Sequence, residues 1–124
     1  MSIPRTNEEM KQLFAAVMPG DPHIHIRPMF GNLAGFINGN MFTGLYGQQI
    51  FIRLPEEERS RLIEKEGATL FSPMPGKPMK EYVTIPEQWW EEPDKITAWI
   101  DQSLKWVSAM PEKVPKKKSS SKKG

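Results

Sequence analysis

The chain has no cysteine in its 124 residues. Disulfides, thiolate metal sites and cysteine nucleophiles are excluded together, and the composition suits a reducing compartment. The opening MSIPRTNEEM holds no apolar segment, so no secretory leader is expected. No apolar run approaches the ~20 residues that a membrane-spanning helix requires. The resulting reading is a cytoplasmic protein. Histidine is also scarce, with two residues. His23 and His25 lie on one side of any extended segment, but no acidic residue is spaced to complete a ligand set. They read as a polar loop or strand edge, with no metal and no cofactor expected. Gly76-Lys77-Pro78 fails as a phosphate loop because proline cannot supply the N–H such a loop needs. Ser60, Ser72 and Ser103 lack a nucleophile signature of the GxSxG kind. With no catalytic constellation in view, the expectation is a protein that is not an enzyme.

Charge is present but unevenly distributed. Residues 1–110 carry 11 Lys/Arg against 14 Asp/Glu, a balance of −3, whereas residues 111–124 carry 6 Lys against 1 Glu, a balance of +5. The formal +2 of the whole chain therefore averages a mildly acidic body and a basic tail. An electrostatic case for nucleic acid rests on the tail alone. The tail is low in complexity and reads as disordered. The division expected is a domain over 1–110 and a Lys/Ser-rich tail over 111–124.

Within the body, Thr6 to Glu9 is a capping-box pattern. Met10, Leu13, Phe14 and Val17 follow at the spacing of one helical face, and Pro19-Gly20 stops a helix over about 7–18. Residues 21–27 read as a connection. Three strands are expected next: 29–37, bent or bulged at its glycines; 40–46, entered through the Asn38-Gly39 hairpin; and 49–54. Pro55 suits the first position of a second helix, about 55–66. Glu56, Glu57 and Glu58 lie at its positive end, Leu62 and Ile63 form its buried side, and Gly67 ends it. Short strands at 68–71 and 82–85 flank a proline-rich arm. A linker bearing Trp89-Trp90 then leads to a last helix, opened by Pro93, whose stripe runs from Ile96 to Met110 with Trp99 and Trp106 closing the core. The order α-β(3)-α-β(2)-α, with antiparallel meanders, argues for an α+β two-layer domain.

Candidate interaction residues follow from this placement. Arg53 alternates with buried positions on its strand, where it could line a groove or serve as a structural ion-pair anchor. Lys77 and Lys80 lie on the proline arm, where they could touch a phosphate backbone or simply be solvated. Trp89 and Trp90 could form a stacking platform or partner surface; on an extended segment, one ring packs and the other is partly exposed. The acidic clusters Glu56 to Glu58 and Glu91-Glu92-Asp94 are explained by helix-start electrostatics. Lys113, Lys116, Lys117, Lys118, Lys122 and Lys123 could hold nucleic acid by charge, or merely solubilise the end of the chain. Met41, Leu45, Ile50 and Ile52 fall on one face of the meander, with Phe42, Tyr46 and Phe51 on the other. Helices on one face would leave the other partly exposed, which would suit a homodimer through the sheet.

Several segments in this order are distinctive: Met29-Phe30-Gly31, Asn38 to Phe42, Ile52-Arg53-Leu54 before an acidic helix, Gly67-Ala68, Phe71, Met74 to Met79, Glu81-Tyr82-Val83 with Ile85-Pro86, and Trp99-Ile100. Over about residues 8–110 the chain resembles the TfoX/Sxy N-terminal-domain family. The resemblance implies an α-β(3)-α-β(2)-α domain similar to the type III secretion chaperone-like fold. It further implies a regulatory role in natural competence, exercised on transcription through protein contacts with a cyclic-AMP receptor protein. Founding members also carry a C-terminal domain resembling a helix-hairpin-helix; here a single-domain member ending in the basic tail is expected. The function expected is a regulatory module acting on a protein partner, with weak nucleic-acid contact through the tail. The alternative is a small-molecule or nucleotide binder, or an enzyme, with a pocket near Arg53, Lys77 and Tyr82.

Overall fold

The computed structural model describes residues 8–29, 32–72 and 79–111. Its elements are α1 (Glu8–Val17), β1 (His25–Met29), β2 (Asn32–Ile37), β3 (Asn40–Tyr46), β4 (Gln49–Arg53), α2 (Glu56–Arg61), β5 (Thr69–Leu70), β6 (Tyr82–Thr84) and α3 (Pro93–Ser108). A π-helical turn, Leu62–Glu66, extends α2, and a 3₁₀ helix, Glu87–Glu91, precedes α3. Every strand pairing is antiparallel, in the order β1-β2-β3-β4-β6-β5. This is an α+β fold.

The strand count differs from the expectation. Residues 21–27 are not all connection, because β1 takes up His25–Met29 and pairs with β2, Met29 lying opposite Asn32. Among the described residues the order is thus four strands, α2 and two strands, where three and two were expected. β1 is an edge strand, which explains why Pro28 is tolerated and why its pattern is weak: a strand with one open edge and exposed side chains needs neither every N–H nor an alternating apolar face.

The turns follow from local chemistry. Asn38 and Gly39 both have positive φ, 54° and 75°, as a two-residue hairpin loop of the primed type requires. Gly67, at φ 86°, closes the α2 extension in the left-handed conformation. The π turn carries Leu62 into the core and leaves Ile63 37% exposed, so Ile63 does not share the buried side expected of it.

A β-bulge decides which residues face the helices. Gly35 pairs with Thr43, but Phe36 pairs with Met41, so Phe42 is the extra residue. It joins Leu45, Ile50 and Ile52 in the main core, beneath Phe14 and Val17 of α1 and Ile96, Ile100, Leu104 and Val107 of α3. Met41 is turned to the opposite face. The expected grouping therefore has Met41 and Phe42 exchanged, since strict alternation fails at a bulge. The buried Ser103 hydroxyl of α3 donates to the Phe42 carbonyl at 3.0 Å, satisfying an acceptor at the bulge.

The opposite face has a cluster of its own. Phe51, Phe71 and Tyr82 are buried there, with Met41, Tyr46 and Met79 packed around them. Phe71 is bonded to residues on both sides: the Met79 N–H donates to the Phe71 carbonyl and the Phe71 N–H to the Tyr82 carbonyl. The far face, expected to be partly exposed, is covered by this cluster at β4 and β6. Among the described residues no helix is long and apolar enough to cross a membrane.

Candidate functional site

Arg53 ends β4, directly across from Tyr82 on β6. The pairing brings Glu81 beside it. Arg53 Nε donates to Glu81 Oε1 at 2.7 Å, and Nη2 lies 2.6 Å from the same oxygen. Nη1 reaches the Met41 carbonyl at 3.5 Å, and the Tyr82 hydroxyl donates to that carbonyl at 3.0 Å. The guanidinium carbon is 5.7 Å from the Tyr82 ring centre and 5.9 Å from that of Trp106. At 19% side-chain exposure, this arginine ties β3, β4, β6 and α3 into one corner. Burial raises the Tyr82 phenol pKa above its ordinary 10.0, and the Arg53 charge opposes that rise. The phenol therefore stays protonated as the hydrogen-bond donor that Met41 requires. Both polar groups of this corner are engaged within the fold. Lys77 lies outside the described residues, and Lys80 is exposed on the return of the arm.

The two tryptophans separate as expected, though by a different local geometry. They lie in the 3₁₀ helix rather than a linker. The Trp89 N–H donates to the Pro86 carbonyl at 3.1 Å and the Glu92 N–H to the Trp89 carbonyl at 2.8 Å. With three residues per turn, neighbouring side chains diverge by about 120°. Trp89 points inward and is 1% exposed, with the Lys95 ammonium 4.5 Å from its ring centre. That ammonium is also paired with Glu66 at 3.0 Å. Trp90 is half-buried at the margin of the main core.

Trp90 opens onto a cleft of about 760 Å³ that sequence reasoning did not anticipate. Met10 and Leu13 of α1 share its apolar floor with Trp90. Glu9, Glu87 and Glu91 supply carboxylates at its rim, and Gln48, from the β3–β4 turn, also lines it. No basic side chain lines it among the described residues. The three carboxylates form no ion pair there with another described residue. The Trp90 indole Nε1–H is buried and has no acceptor among the described residues. Glu91, expected at a helix start, directly precedes the N-cap Glu92 of α3 and also lines the cleft.

A second cleft, of about 300 Å³, lies between Leu54, Pro55 and Glu58 on one side and Gln102, Lys105 and Trp106 on the other. His23 and His25 do not converge. His23 Nδ1 lies 3.1 Å from Asp21 Oδ1, and His25 is exposed on β1 opposite Phe36. Hydrogen bonds from the His23 backbone and ring lower the Asp21 pKa below its ordinary 3.8. Among the described residues no group of three His, Cys, Asp or Glu is placed to hold a metal ion. The tail lysines lie outside the described residues.

A family model described as the TfoX N-terminal domain matches residues 12–106. Comparison with curated proteins returns no match.

Proposed function

The chain belongs to the TfoX N-terminal-domain family, and on that premise we propose that it is a regulatory module of natural competence that acts on transcription through a protein partner. The observation that carries this reading is the extent of the match, residues 12–106, which spans the helices and strands from within α1 to near the end of α3. Supporting it, Arg53 and Tyr82 are bonded to Glu81 and Met41, so a ligand at that corner would have to compete with the fold for their polar groups. The test is a deletion strain of the native host, complemented with the full chain. Transcripts of the DNA-uptake genes and transformation frequency are expected to fall at least tenfold on deletion and to recover on complementation. Unchanged transcripts and transformation would overturn the reading. A homodimer through the sheet is a further proposal, confined to the part of the far face that the Phe51 cluster leaves uncovered.

Nucleic-acid contact is assigned to the tail. Full-chain binding to duplex DNA is expected to weaken steeply with salt. Six phosphate contacts would give a log–log slope of about −5, and fewer contacts a proportionally smaller one. Replacing Lys113, Lys116, Lys117, Lys118, Lys122 and Lys123 with serine should abolish both the binding and the slope, as read by fluorescence anisotropy. Binding that survives these substitutions would move the contact to the folded body.

A further inference from the structure

We propose that the Trp90 cleft is the docking site for a basic segment of a protein partner, one that carries large apolar side chains between its lysines and arginines. The inference rests on the regulatory reading above and names the surface and the partner chemistry it requires. The floor of Met10, Leu13 and Trp90 suits apolar anchors, and the rim of Glu9, Glu87 and Glu91 suits cations. Both features belong to one cavity of about 760 Å³, large enough for several side chains. The buried Trp90 Nε1–H has no acceptor among the described residues, and a buried donor left unpaired costs free energy. A small outward turn of this half-buried ring would present the N–H to a main-chain carbonyl of the docked segment.

The chain's own tail fits this cleft less well. The described residues end at Pro111, whose carbonyl accepts from Asn40 Nδ2 at the start of β3. The cleft lies beyond the other end of β3, at Gln48, about 20 Å away at strand rise. Val114, the apolar side chain of the tail, is three residues past Pro111 and reaches only about 10 Å. The residues that can span the distance are lysine, serine and glycine, which match the rim but not the floor.

The test uses the full-length ¹⁵N-labelled chain and reads the indole N–H resonance of Trp90, assigned with Trp90→Phe. Titration with acetyl-KLRFKLR-amide is expected to move this resonance saturably. Acetyl-KSRSKSR-amide, which keeps the charge and lacks the apolar anchors, should bind at least tenfold more weakly. Acetyl-ELDFELD-amide should not bind. Glu87→Lys with Glu91→Lys, both at exposed positions, should weaken the first peptide at least tenfold without altering the fold. A resonance that stays still, or an affinity indifferent to the double substitution, overturns the proposal. So does a Trp90 resonance that shifts, without peptide, when the tail lysines are replaced with serine, since the tail would then be the occupant. The host-deletion phenotype is a separate readout: if it holds while the peptide fails, the regulatory reading stands and the partner binds elsewhere.

Discussion

Gly44→Ala is expected to destabilise the protein by about 3 kcal/mol, lowering its thermal midpoint by about 15 °C. Gly44 lies directly across from Phe51 on the neighbouring strand. A Cβ added there would stand 2.2 Å from Phe51 Cζ and 2.6 Å from Cε2, closer than carbon atoms can approach. The ring has little room to retreat, because it stacks on Phe71 with centroids 4.1 Å apart and planes 13° from parallel. Tyr82 meets it edge-on at 5.7 Å. The requirement for glycine is thus one of space: Phe51 covers the bare backbone of its neighbour, as aromatic residues often do in sheets. Phe51→Leu alone should cost about 1–2 kcal/mol through lost packing. In the Gly44→Ala background it should recover part of the loss, so the double variant is more stable than the sum of the singles implies. Denaturant midpoints of the four proteins measure this coupling. Strict additivity would show that the clash is relieved elsewhere.

That same contact marks where the sequence was legible and where it was not. Signals contained within a few residues were readable. Asn38-Gly39 specifies its hairpin by tolerating positive φ, Gly67 specifies a helix end, and the Ile96-to-Val107 stripe specifies a buried face. Features that depend on register were hidden. The extra residue at Phe42 reverses the facing of Met41 and Phe42, and a strand's own sequence does not reveal an insertion defined against its partner. β1 was missed because an exposed edge strand has little reason to alternate. Arg53 was legible as an ion-pair anchor, but Glu81 was not, because their meeting depends on the pairing of β4 with β6. The acidic cleft was the least legible feature. Its carboxylates come from the start of α1 and from a 3₁₀ turn near the other end of the chain, and only the packed fold places them beside one cavity.

Trp89→Ala is expected to produce the larger of the two losses, about 3–5 kcal/mol, a substantial part of the ~5–15 kcal/mol by which a domain is stable. The ring is 1% exposed and belongs to the main core with Leu62, Ile85 and Ile96, so its removal opens a cavity where the 3₁₀ helix meets α3. It also strips Lys95 of the aromatic face beneath its ammonium, while the half-buried, solvent-screened Lys95–Glu66 pair alone contributes little. Trp89→Phe keeps part of the packing and should cost less than half as much. The neighbouring position should behave differently. Trp90 is only half-buried and its indole N–H has no partner among the described residues, so Trp90→Ala removes less packing and orphans no described acceptor. It should cost about 1–2 kcal/mol while still abolishing capture of the basic peptide. Chemical denaturation followed by circular dichroism, set beside the peptide titration, separates the two roles. One tryptophan holds the 3₁₀ helix to the core, and that helix carries the other to the cleft between Glu87 and Glu91. Equal stability losses at the two positions would contradict this division.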